Sequence, residues 1–169
     1  MVGAYINPME YDYIRKIKTD RQEPEEFRRI FPAKAVMLWD ALSDVLREHL
    51  KAVQAELRYE THVDWANERA MRFHVIGKIV SRVTVTLDVE AESFLIATEV
   101  INSLSQNFGS PTRRRIHLGL DDQDAILAYI DSETERLTPD QIAELVIKPT
   151  LAQSPALGNV QDLRPRKYA

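Results

Sequence analysis

The chain contains no cysteine. A disulfide framework, a thiolate metal site and a cysteine nucleophile are therefore excluded. Glycine is scarce, with five in 169 residues, standing singly at positions 3, 77, 109, 119 and 158. Isolated glycines make neither a loop that cradles a nucleotide phosphate nor a Gly-x-Ser-x-Gly elbow. No apolar run approaches the ~18 residues of a membrane-spanning helix. The opening residues MVGAYINPMEYDY lack the basic-then-apolar order of a secretory signal. A soluble cytoplasmic protein is the expectation. There is no internal repeat and no low-complexity block.

Hydrophobic residues make up 44% of the chain and charged residues 28%, as in an ordinary globular protein able to bury one sizeable core. The net charge of −4 argues against an overall electrostatic draw to nucleic acid or anionic lipid. Arginine outnumbers lysine 15 to 7, a bias that suits bidentate carboxylate or phosphate partners. Genome-wide base composition explains it equally well.

The stretch Met71 to Val89 (MRFHVIGKIVSRVTVTLDV) alternates apolar or small residues at odd positions with mostly polar ones at even positions. A period of two puts one face on a core and the other in water. Its length predicts a hairpin turning at residues 76–78, with a three-residue loop that sets Val75 opposite Ile79. Gly77 would supply a positive φ there. Residues 114–119 can add a third strand. Helical spacing predicts helices over 7–18, 33–58, 90–108 and 121–137. A last one, 139–148, opens on the capping signature Thr138-Pro139-Asp140-Gln141. Pro24 in the charged stretch 19–26 marks a connector. The expected fold is α+β, a small antiparallel sheet packed against several helices. A helical arm (1–30) would precede one domain (31–152), and a flexible tail (153–169) would follow it. The arm's Tyr5, Tyr11, Tyr13 and Phe27 need burial and are read as interface residues.

Four sets of residues carry the chemistry on offer. Arg69 and His74 form an Arg-x4-His spacing. It is similar to that of small helical ribonucleases of the HEPN type, where such a pair on a helix activates the ribose 2′-hydroxyl and steadies the phosphate. The resemblance covers these two positions alone, and a histidine on a sheet surface is the plainer account of His74. Glu60, His62 and Asp64 alternate, so on a strand they would share one face as zinc ligands can. No second histidine stands close by, and a solvated polar edge explains them more simply. Arg113, Arg114 and Arg115, with Arg164, Arg166 and Lys167 of the tail, can bind phosphates or an acidic protein surface. No aromatic interleaving accompanies them. Asp121, Asp122 and Asp124 lack the further ligands of a calcium loop and suit helix capping. Trp39 and Trp65 read as core or interface anchors.

No metal and no cofactor is expected. The reading that asks least of these residues is a non-enzymatic protein-interaction module of accessory, adaptor, immunity or inhibitor type. It would be homodimeric, because a small sheet has edges that must be covered or paired. A nucleic-acid-binding protein using Arg113–Arg115 is the second reading, and a small ribonuclease using Arg69 and His74 the third.

Overall fold

The computed structural model describes residues 8–101 and 107–152; within the first helix, side chains are described for Tyr13, Ile14 and residues from 24 onward. A helix α1 (Pro8–Ala52) leads through a π-helical turn (Val53–Leu57) into six strands: β1 (Glu60–Asn67), β2 (Ala70–Ile76), β3 (Val80–Asp88), β4 (Ser93–Val100), β5 (Thr112–Leu120) and β6 (Ile126–Tyr129). Helix α2 (Pro139–Ile147) and a 3-10 turn (Lys148–Ala152) close the fold. The strands pair antiparallel in chain order, β1-β2-β3-β4-β5-β6. This corrects the expected small sheet under several helices: among the described residues, one six-stranded sheet carries one long helix and one short one on a single face.

Helix α1 and the π-helical turn after it keep their buried residues in register over about six turns. Phe31, Ala35, Trp39, Leu42, Leu46, Leu50 and Val53 recur every three or four residues, and all are buried. The helix passes through Pro24 and Pro32, so the connector expected at 19–26 is helical. A proline inside a helix removes one backbone bond. Near Pro32 the opposing gain is visible, because Phe27 stacks on Phe31 with ring centroids 4.7 Å apart and Phe31 starts the buried stripe. The helix gives way at Ala52 rather than running to 58, and Arg58 turns the chain in the left-handed region at φ 62°.

Met71, Phe73, Val75, Val83, Val85, Leu87, Phe94, Ile96, Ile116, Leu118 and Ala128 form the sheet's inner face and are buried against α1 and α2. From α2 come Ile142, Ala143, Val146 and Ile147. Trp39 sits at the centre, its ring 6.0 Å from that of Phe94, and its Nε1 donates to the Glu68 carbonyl at 2.9 Å. Thr138 opens α2 with both halves of a capping box, and Pro139 occupies its first turn.

The 71–89 hairpin pairs Ile76 with Val80 and Val75 with Ser81, so the turn is residues 77–79 and the register lies two residues from the expected one. A shift of two keeps every side chain on its face. Gly77 has no positive φ; its N–H donates to the Ile79 carbonyl at 3.2 Å.

Among the described residues the expected helices at 90–108 and 121–137 do not form: β4 (Ser93–Val100) lies in the first range and β6 (Ile126–Tyr129), flanked by turns, in the second. β4 is an inner strand of the sheet: Phe94 and Ile96 pack on the core, while Leu95 and Ala97 are half-buried on the other face. Apolar residues on both faces erase the period of two, and such a run cannot be told from a buried helix by periodicity. Residues 89–92 form a tight turn, with Glu92 at φ 51° and Asp88 accepting from the Ala91 N–H at 3.0 Å. Asp121 caps a turn rather than a helix: its Oδ1 accepts from the N–H groups of Gln123 (2.8 Å) and Ala125 (2.9 Å). Residues 114–119 do form a strand, as the fifth of six, within β5.

Candidate functional site

Among the described residues, no helix covers the sheet's outer face. Paired residues share a face, so the cross-strand register lays out rows of side chains there. One row runs His62, His74, Arg82, Glu99 across β1 to β4; the next runs Asp64, Arg72, Thr84, Ala97, Arg113 across β1 to β5. A third holds Thr86, Leu95 and Arg115.

Two of the arginines on this face are neutralised. Arg82 grips Glu99 with two parallel bonds, Nε to Oε1 at 3.1 Å and Nη2 to Oε2 at 2.9 Å, and its guanidinium lies 4.0 Å from the centre of the Phe108 ring. The bond to Glu99 raises the Arg82 pKa. Arg72 pairs with Asp64 at 2.8 Å. His74, beside both arginines, is held below the ordinary histidine value, first by burial and then by the charges of Arg82, Arg72 and His62. Its ring is 6.3 Å from Phe108.

Arg113 and Arg115 are different. The three consecutive arginines lie in a strand and therefore alternate: Arg114 points to the helix side, where its Nη2 donates to the Leu145 carbonyl of α2 at 2.5 Å. Helix C-terminal carbonyls lack partners within their own helix, and a cation there is favourable. Arg113 and Arg115 stay on the outer face, exposed, opposite Ala97 and Leu95. Arg115 donates to the Ser93 hydroxyl at 2.5 Å, and among the described residues neither arginine has a carboxylate partner. Arg164, Arg166 and Lys167 lie outside the described residues.

The remaining sequence candidates do not converge. Arg69 sits in the β1–β2 turn, where its N–H is held by Asn67 Oδ1 at 2.8 Å, while His74 is in the middle of β2. Five residues of strand separate them by roughly 17 Å on alternate faces, unlike two neighbours on a helix. Glu60, His62 and Asp64 do share the outer face of β1, but His62 bonds Glu60 at 2.5 Å and Asp64 is taken by Arg72. Among the described residues, no three His, Asp or Glu side chains are grouped to hold a metal. Asp121 is committed to its turn and to Arg136 at 2.9 Å. Backbone N–H groups first, and Arg136 after them, hold its pKa below the ordinary carboxylate value.

Of the arm residues, Tyr5 and the Tyr11 side chain lie outside the described residues. Tyr13 is 63% exposed, and Phe27 is half-buried on Phe31. A groove of about 590 Å³ runs beside that stack between α1 and the β3–β4 turn. The split of the Arg113–Arg115 run across two faces was missed by sequence reasoning, although strand alternation would have given it. No helix among the described residues is long and apolar enough to cross a membrane. Compared with protein-family models, with curated proteins and with solved structures, the chain matches none.

Proposed function

We propose that the chain is a non-enzymatic, cytoplasmic protein-interaction module whose open sheet face receives an extended acidic segment of another protein. The observation that carries this reading is the pair Arg113 and Arg115: two residues apart on β5, exposed beside Ala97 and Leu95, and without carboxylate partners among the described residues. Residues two apart on a strand stand about 6.6 Å apart. Carboxylates on alternate residues of an extended chain have the same spacing, so two fork-shaped guanidinium groups can each take one bidentately. The small Ala97 and the half-buried Leu95 leave the partner backbone room to lie flat. Two arginines are few for a polyanion, whose affinity grows with each phosphate neutralised, and the net charge of −4 opposes nucleic acid further.

The test is fluorescence anisotropy with a labelled peptide of alternating Glu and Val, and with a labelled single-stranded RNA, each across a salt series. Arg113→Ala with Arg115→Ala should weaken peptide binding at least ten-fold while the circular dichroism spectrum stays unchanged. Equal binding by that variant refutes the reading. Preference for the RNA, with an affinity falling steeply in salt, would replace it with the nucleic-acid reading.

A further inference from the structure

Both edges of an antiparallel sheet offer unpaired backbone groups, and the two edges here are treated differently. β6 is four residues long, and the chain beyond it folds back so that the Leu137 N–H donates to the Ala128 carbonyl at 2.8 Å. β1 is eight residues long, and among the described residues nothing pairs with its outer edge.

The hydrophobic layer is also unfinished at β1. Its register with β2 pairs Thr61 with Val75, Val63 with Phe73 and Trp65 with Met71, which places all three β1 residues on the inner face. Their β2 partners are 0% exposed, yet Val63 is 39% exposed and Trp65 43%. Trp65 meets the body edge-on, its ring 6.3 Å from Trp39. A valine and a tryptophan on the core side of an edge strand, only partly covered by α1, form half of a buried layer.

We infer that β1 pairs antiparallel with β1 of a second copy across a twofold axis at Val63, making one twelve-stranded sheet. The charges on the strand's outer face choose the register. Keeping both inner layers on one side allows only pairings whose residue numbers sum to an even value, so that inner meets inner. Centring on Val63 pairs Glu60 with Ala66, Thr61 with Trp65 and His62 with Asp64, each twice. Centring on His62 sets Glu60 against Asp64, and centring on Asp64 sets that carboxylate against itself; like charges directly opposite are destabilising. Centring on Thr61 avoids the clash but joins only residues 60–62 and leaves Trp65 outside. Centring on Trp65 runs the pairing into the bulge between Trp65 and Asn67. The Val63 register alone joins seven residues with an imidazole, and no second carboxylate, opposite each Asp64, and it continues the Val63–Trp65 layer through both copies.

This pairing is independent of what binds Arg113 and Arg115, and its test separates the two. Light scattering on the full chain should show a dimer, with Val63→Lys shifting it to monomer. Because the chain has no cysteine, Val63→Cys is a single-thiol probe. Directly opposed residues of an antiparallel pair have Cα atoms about 4.5–5.5 Å apart, within disulfide reach. Mild oxidation should therefore convert Val63→Cys to a covalent dimer. Thr61→Cys, whose copies would stand roughly 13 Å apart along the strands, should stay unlinked. His62→Glu should weaken the dimer at least ten-fold, and His62→Asp combined with Asp64→His should restore it. A monomeric wild-type chain, or a dimer in which Thr61→Cys links as readily as Val63→Cys, overturns the inference. Neither result bears on the acidic-peptide titration.

Discussion

Replacing Glu99 with glutamine tests whether the outer face is electrically arranged as described. Glu99 and Arg82 are only 20% and 30% exposed at their side chains, and two bonds of 3.1 and 2.9 Å join them. Exposed ion pairs contribute about 0.2–1 kcal/mol. A half-buried bidentate pair should lie at or just above that range, near 1–1.5 kcal/mol. Glutamine keeps an acceptor for one Arg82 N–H, and the ring of Phe108 still holds the guanidinium, worth about 0.5–1 kcal/mol. The expected loss on Glu99→Gln is therefore about 1 kcal/mol, or roughly 2–4 °C in Tm for a chain of this size. Urea unfolding of Glu99→Gln, Arg82→Met and the double variant closes the cycle. The same substitution frees a positive charge two strands from Arg113, about 10 Å away. In water one charge at that distance contributes about 0.4 kcal/mol, so an acidic peptide should bind about two-fold more tightly at low salt. A coupling energy below ~0.3 kcal/mol, within the scatter of independent sites, would refute the pairing argument. Weaker peptide binding by a folded Glu99→Gln would refute the placement of the peptide on this face.

Three further outcomes follow from particular groups. The Ser81 hydroxyl is fully buried on the inner face and among the described residues has no hydrogen-bond partner, so Ser81→Ala should raise stability by about 1 kcal/mol in urea unfolding. His74 is held below its ordinary 6.5 by burial and neighbouring cations. Between its folded value and 6.5 the unfolded chain binds more protons, so stability falls as pH drops through that window, and His74→Phe should flatten this part of the urea-midpoint profile. Asp121 titrates below its ordinary 3.8 through the N–H groups of Ala125 and Gln123 and the Arg136 ion pair. Its stabilising contribution is complete above that value and lost as pH falls through the folded one. Asp121→Asn should therefore lower Tm at pH 7, with the difference from wild type closing under acid.

Legibility in the sequence followed the contrast between the two faces of each element. The α1 stripe from Phe31 to Val53 and the alternation of β2 and β3 each set buried residues against polar ones, and both elements were readable. β4 was not, because Leu95 and Ala97 are apolar on the outer face as Phe94 and Ile96 are on the inner. β6 was missed because four residues are too few for either period to declare itself. Pro24 argued for a connector, yet the helix runs through it and through Pro32, where burial of Phe31 and Ala35 outweighs the lost backbone bond. For the site, arginines at 113–115 were visible as a patch. Their division required knowing that they lie on a strand, and their availability required knowing that Asp64 and Glu99 are committed to other arginines.

The contrast along α1 between its buried stripe and the exposed Tyr13 and Ile14 leads to a sharper expectation about the arm. Forty-five helical residues measure roughly 67 Å. The buried stripe, Phe31 to Val53, accounts for about 33 Å of helix. Upstream of it Tyr13 is 63% and Ile14 48% exposed, so this turn of helix gains little from burial. Isolated helices of such length are marginal in water. Deleting residues 1–23 should therefore reduce ellipticity at 222 nm while moving the urea midpoint by less than ~1 kcal/mol. Phe27→Ala should behave in the opposite way, leaving ellipticity nearly intact. It removes the ring stacked on Phe31 and should cost about 1–3 kcal/mol, below the 3–5 of a fully buried phenylalanine because Phe27 is only half-buried. If the deletion destabilises the body as much as Phe27→Ala does, the arm is an integral part of the core. If instead it leaves stability intact but breaks the dimer seen by light scattering, the twofold axis lies along the arm and not at Val63.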